Sequence, residues 1–266
     1  MSNNVNNNIA TIAYHHVGFV PDSLDIARYA VTVDQFSSHL DWLLASPHQL
    51  LSLNDALTVK TEKPGGVVIS FDDGYLSDYE HATPLLVERN LSGVFFVSAG
   101  NVGQPGYLNW QQLREMVELK MTIGAHGHDH TLFNELSDAA LDDQLRRSRL
   151  ELEDKLGVPV RSMSLPGGMG DANTVARARE HGFDFVFGSC PRRGQTRYWK
   201  TKVIPRLALR SHYGVPELQK LIEGTLFRAG LEFRYRSLRL LRSMVGRNMT
   251  GKLSRAATGI ANAARR

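Results

Sequence analysis

The 266-residue sequence predicts an α/β protein folded as an incomplete barrel, and three observations carry that prediction. Short runs of β-branched and aromatic residues alternate with longer stretches of helical periodicity, the pattern of repeated strand–helix units around a parallel sheet. Seven such runs can be counted, where a complete barrel of this kind uses eight. The length suits one unit of that size, and 42% apolar with 22% charged residues is ordinary for a folded chain.

In chain order, strands are expected at residues 9–14, 67–71, 93–97, 121–125, 162–165, 185–187 and 207–209, short runs of which several are rich in Val, Ile, Phe or Tyr. Between them, residues 78–90, 110–119, 138–156 and 173–181 space their apolar side chains as helices do, and Gly157 and Gly182 are placed to end two of these. Residues 1–8 read as a disordered N-terminus, 9–225 as one domain and 226–266 as a basic amphipathic tail.

Cys190 is the single cysteine, so no internal disulfide is available and no oxidising compartment is required. Met1 to Asn8 lack the basic stretch, apolar run and cleavage site of an export signal. No segment reaches the roughly 18 consecutive apolar residues of a spanning helix. A cytoplasmic protein is expected. The net charge of +4 is unevenly placed: residues 228–266 hold ten Lys/Arg and the single acid Glu232, a net of +9, which leaves −5 for residues 1–227. The body is mildly acidic, and nucleic acid is not an expected partner.

The polar residues of interest follow the expected strands, where barrel loops build active sites. Tyr14-His15-His16 follows the first, Asp72-Asp73-Gly74 the second, His126 to His130 the fourth and Pro166-Gly167-Gly168 the fifth. Adjacent carboxylates at the end of an apolar strand repel and raise one pKa unless they are paired, protonated or bound to a metal. The plainer reading is an Asp-Gly turn facing water. His126, His128 and His130, at alternating positions, resemble a ligand cluster for zinc, a borderline metal that favours imidazole and carboxylate. A solvated histidine-rich loop is the alternative there.

Taken in order, Ser70-Phe71-Asp72-Asp73-Gly74 and His126-Gly127-His128-Asp129-His130 resemble the first two motifs of the polysaccharide deacetylase family, carbohydrate esterase family 4. Tyr14-His15-His16-Val17, Gly93-Val94-Phe95-Phe96-Val97, Trp110 at a helix start and Leu165-Pro166-Gly167-Gly168 are similar to its exopolysaccharide-processing branch, and the resemblance spans residues 9–210. It implies a distorted (β/α)7 barrel, one divalent cation held by Asp73, His126 and His130, and Asp72 as general base, with His128 outside the ligand set. The implied reaction is N-deacetylation of an acetamido sugar. Three protein ligands leave a coordination position open for water, whose proton a neighbouring carboxylate can accept. The backbone N–H groups of Tyr75 and Gly167 are candidate donors to the oxyanion, and Trp110 a candidate substrate contact.

Two positions depart from the family pattern. Ser164 stands where the third motif usually carries an arginine that orients the base, and Arg206, in Ile204-Pro205-Arg206-Leu207, is the candidate replacement. Its other reading is a surface arginine beside a turn proline. The histidine that protonates the leaving amine is open between His212, which does not share a strand face with Leu207 and Leu209, and His15, at the end of the first strand.

From Phe227, apolar residues recur at Leu231, Leu238, Leu241, Val245, Met249, Leu253 and Ile260 among arginines. A basic amphipathic helix fits an anionic membrane surface; a helix packed on the barrel, or a tail frayed by Gly246, Gly251 and Gly259, are the alternatives. Surface binding would suit a cytoplasmic enzyme acting on a lipid-linked glycan. Two further functional readings remain: hydrolysis of a small amide or cyclic imide, and a non-catalytic glycan- or membrane-binding relative.

Overall fold

The structure is a computed structural model describing residues 8–21, 23–58, 65–195 and 203–245. Its contacts divide the chain into two units, Met1–Gly224 and Thr225–Arg266.

The first unit opens with β1 (Asn8–Tyr14), the short β2 (His16–Val17) and β3 (Ala30–Val31), α1 (Val33–Ala45), β4 (Gln49–Leu50) and α2 (Leu53–Thr58). Strand and helix then alternate: β5 (Gly66–Phe71), α3 (Thr83–Glu88), β6 (Val94–Val97), α4 (Trp110–Glu118), β7 (Thr122–Ala125), α5 (Asp138–Leu156), β8 (Ser162–Ser164), α6 (Ala172–Glu180) and β9 (Phe185–Phe187). β10 (Gly194–Gln195), β11 (Leu207–Ala208) and α7 (Val215–Glu223) complete it.

The main sheet runs β1-β5-β6-β7-β8-β9 with every one of these pairings parallel. β11 pairs parallel with β1 through Ile12 and Ala13, and a parallel bridge from Phe187 to Ile204 joins β9 to the segment that leads into β11. Seven parallel strands therefore curl round on themselves, the distorted (β/α)7 barrel that the family resemblance implies. Strands covered on both faces read as continuous apolar runs, and β5 and β6 are buried at every position. Consecutive side chains leave a strand on opposite faces: Phe95 stacks on Phe71 at 4.4 Å, while Phe96 meets Phe187 at 5.1 Å.

The expected helix over 78–90 is broken in two. A π-helical turn, Asp78–Ala82, precedes α3. Pro84 has no N–H to return to the Glu80 carbonyl, and the Thr83 hydroxyl donates to the Asp78 carbonyl at 2.7 Å, so the turn widens before the α-helix resumes. α1 and α7 were not anticipated.

The second unit contains α8 (Thr225–Val245). Residues 1–7 of the expected N-terminus, and the expected tail positions Met249, Leu253 and Ile260 with Gly246, Gly251 and Gly259, lie outside the described residues. Among the described residues no helix is long and apolar enough to cross a membrane.

Candidate active site

β5 delivers the adjacent carboxylates. The Asp72 N–H donates to the Tyr14 carbonyl at 3.0 Å, extending the ladder with β1 by one residue. Asp73 then turns into the left-handed region at φ 78°, as does Gly74. A Cβ on Gly74 would come to 3.0 Å from Val97, so glycine there is both a conformational and a steric requirement. β7 hands over in the same manner: the His126 N–H donates to the Val97 carbonyl at 2.8 Å, and the loop beyond carries His130 at φ 63°. Left-handed backbone at non-glycine residues costs on the order of 1–3 kcal/mol and clusters at functional sites.

Asp73 Oδ1 lies 3.3 Å from His126 Nε2 and 3.1 Å from His130 Nε2. One ligand atom from each of the three residues falls within 4.8 Å of the others. Despite these short distances, Asp73 Oδ1 is buried and counts no hydrogen-bond partner among the described residues. A cation between the three would satisfy it. The tautomer agrees: His126 Nδ1 lies 3.0 Å from the Ser164 carbonyl, which can only accept. The ring proton therefore sits on Nδ1 and Nε2 keeps its lone pair. One carboxylate and two imidazoles form a donor set that zinc accepts. His126 is nearly inaccessible while 42% of the His130 side chain is exposed, so the cradle is open on one side.

Asp72 is engaged elsewhere. Arg206 grips it with both ends of its guanidinium, Nη1 to Oδ1 at 2.7 Å and Nη2 to Oδ2 at 2.6 Å. The Ser164 hydroxyl donates to Oδ1 at 2.9 Å. Arg206 has no solvent exposure, donates through Nε to the Gly188 carbonyl at 3.2 Å and lies over the Phe96 ring at 5.3 Å. The surface-arginine reading of Arg206 is thus excluded, and its guanidinium is buried against Asp72.

These contacts decide the charges. Burial pushes the Asp72 carboxyl up, but the Arg206 guanidinium, with His126 and His15 nearby, brings it down to about 2. Burial acts likewise on Asp73, and the contacts with His126 and His130 more than reverse it, holding this carboxyl well below the usual range. Adjacent carboxylates normally push one another up; here each has its own cationic or imidazole partner. Their repulsion is felt by Asp78, whose fully buried carboxyl is raised by burial first and then by Asp73 and Asp72. His130 is raised by its contact with Asp73, and His15 is lowered because burial outweighs the attraction of Asp72.

His15 Nε2 is 4.0 Å from Asp72 Oδ2, and its ring stacks on Tyr29 at 4.7 Å. His212 is exposed, its ring edge-on to Tyr213; of the two candidate acids, His15 is the one placed against Asp72. Tyr75 bridges to Tyr107, and the two rings stack at 5.1 Å. Gly167 lies at φ 66° between Pro166 and Gly168, and half-buried Trp110 opens α4. His128 turns to Glu151 at 3.1 Å, away from the cluster. Ser164 was read only as a missing arginine. In fact it joins the two halves of the site, through its hydroxyl to Asp72 and its carbonyl to His126. No sequence signal announces this, because the partners lie 92 and 38 positions away.

A parallel barrel whose strand ends carry an Asp/His cradle able to hold a divalent cation, with a second carboxylate clamped beside it, is an arrangement suited to hydrolysis. Residues 59–186, just under half of the chain, match the family model for polysaccharide deacetylase. It is 26% identical over 153 residues to YxkH of Bacillus subtilis (strain 168), covering 56% of this chain and 55% of that protein. To the poly-β-1,6-N-acetyl-D-glucosamine N-deacetylase of Staphylococcus epidermidis it is 23% identical over 188 residues, covering 64% of this chain and 65% of the relative. The chain thus spans a little over half to about two-thirds of these relatives' lengths. Among solved structures, IcaB from Ammonifex degensii superposes with a TM-score of 0.69 at 26% identity, covering 82% of this chain and 97% of that one. The Streptococcus pyogenes deacetylase PplD, solved with acetate, shares the fold with a TM-score of 0.73 at 18% identity, covering 81% and 98%.

Proposed function

We propose that the protein is a metal-dependent N-deacetylase that removes acetyl from an acetamido sugar during assembly of a surface polysaccharide or glycolipid. The observation that carries this reading is the division of labour between neighbouring carboxylates: Asp73 faces His126 and His130, whereas Asp72 faces Arg206 and Ser164. A divalent cation held by Asp73, His126 and His130, zinc by donor preference, supplies an acidified water and polarises the acetyl carbonyl when bound. Asp72 accepts the water proton as the oxygen attacks the carbonyl carbon, and Arg206 keeps that carboxylate ionised and oriented. The backbone N–H groups of Tyr75 and Gly167 are assigned to the oxyanion. When the C–N bond breaks, acetate leaves and the proton passes to the sugar nitrogen, with His15 beside Asp72 as the assigned donor. Trp110 and the Tyr75–Tyr107 pair offer apolar faces to a sugar ring.

The staphylococcal relative's name supports a polymer of N-acetylglucosamine as the substrate class. We place the enzyme in the cytoplasm at the inner face of the membrane, on a lipid-linked glycan; the lone Cys190 and the +9 charge of residues 228–266 support this. The test is acetate release from β-1,6-linked N-acetylglucosamine oligomers by zinc-loaded protein. Asp72→Asn is expected to abolish turnover with zinc still bound, and His126→Ala to lose both. A fully active Asp72→Asn variant overturns the assignment, and hydrolysis of cyclic imides without acetate release points to the small-amide reading.

A further inference from the structure

The proposed chemistry leaves α8 without a task. Three large apolar side chains of this helix stand in solvent: Leu226 at 87%, Phe233 at 74% and Leu238 at 44% exposure. Leu226, Ala229, Gly230 and Phe233 recur at the spacing of one helix face, and all four are exposed, so they form a single apolar ridge. Arg234 and Arg236 are exposed beside Phe233. Arg236 pairs with Glu232 at 2.5 Å, and Glu232 is the only acid from residue 225 onward. No ion pair of Arg234 occurs among the described residues.

A helix that merely bridges solvent would carry charge on this face. A second copy of the chain is a poor occupant, since two segments of net +9 would face one another with like charge at the rim. An anionic bilayer complements both features, taking the apolar ridge below its headgroups and the guanidinium groups at its phosphates. The helix cannot cross a membrane, so it must lie along the surface.

We propose that α8 binds the face of an anionic phospholipid bilayer, with Leu226 and Phe233 inserted and Arg234 and Arg236 at the phosphates. This deepens the deacetylase reading and rests on it for its purpose, since it sets the substrate class as acetamido sugars carried on a membrane lipid. The test sediments the full-length chain with phosphatidylcholine vesicles, with or without phosphatidylglycerol, at low and high salt. Acetate release from soluble N-acetylglucosamine oligomers is measured on the same preparations.

Pelleting is expected with the mixed vesicles at low salt only. The Leu226→Ser, Phe233→Ser double variant is expected to partition about a hundredfold more weakly, about tenfold for each large apolar group withdrawn. Its acetate release should equal that of the wild type. The proposal is overturned if the wild type stays in the supernatant, pellets equally on neutral vesicles, or pellets no better than the double variant. It is also overturned if the double substitution converts a dimer to a monomer without any vesicle binding, because the occupant is then a second copy. Acetate release without vesicle binding rejects this inference alone; vesicle binding without acetate release rejects the deacetylase reading alone.

Discussion

At the scale of single residues, the decisive interaction is the buried pair of Asp72 and Arg206. Taking two charges out of water costs several kcal/mol each, and only excellent geometry with further hydrogen bonds offsets it. Here the two-point contact, the Ser164 hydroxyl and the Gly188 carbonyl supply those bonds. Arg206→Met should therefore cost about 3–5 kcal/mol in chemical denaturation, because it strands a buried carboxylate. Combining it with Asp72→Asn should recover a large part, and an unchanged loss in the double variant would contradict the pairing. The pH dependence has a defined sign. Folding lowers the Asp72 carboxyl from 3.8 to about 2, so its stabilisation is complete above about pH 4 and disappears as pH falls towards 2. Asp72→Asn should flatten that part of the stability curve; an identical acid limb would assign it to other groups.

At the scale of elements, α1 shows what can be stated and tested. Thr32 accepts from the Gln35 N–H at 3.1 Å while the Gln35 side chain accepts from the Thr32 N–H at 2.8 Å, a reciprocal cap. Thr32→Ala should cost about 1 kcal/mol, read as a shift in the denaturation midpoint at constant slope. The sequence pattern does not single out α1. The helix stays hidden because His39 occupies its buried face, hydrogen-bonded to the Tyr14 hydroxyl and the Tyr213 carbonyl, and so interrupts the apolar periodicity. The seven barrel strands were legible for the opposite reason. A run such as Val67-Val68-Ile69-Ser70-Phe71 is apolar throughout because both faces are covered, and turn residues bound it. The cradle was legible through its motifs, since Asp73, His126 and His130 each follow a strand. Arg206 could be nominated but not placed: its partner lies 134 positions away, and a buried arginine looks like a surface one until the fold brings that partner to it.

At the scale of the whole molecule, the cradle spans the sheet. Asp73 follows β5 and His126 and His130 follow β7, with β6 between them, so an ion bound there clips together two non-adjacent strands at the mouth of the first unit. The unfolded chain holds no such arrangement, which makes metal binding part of the folding free energy. Ligand at about a hundred times its dissociation constant stabilises by about 2.7 kcal/mol. Chelator-stripped protein should accordingly melt at a lower temperature than the zinc-loaded form, by an increment that grows with free zinc. Asp73→Asn should erase that zinc-dependent increment, because it removes the one carboxylate of the set. Asp72→Asn should keep it, since Asp72 is turned towards Arg206 and Ser164. Calorimetry of the three proteins across a zinc series separates the two carboxylates without any substrate; if Asp73→Asn responds to zinc as fully as the wild type, the ion is held by other residues.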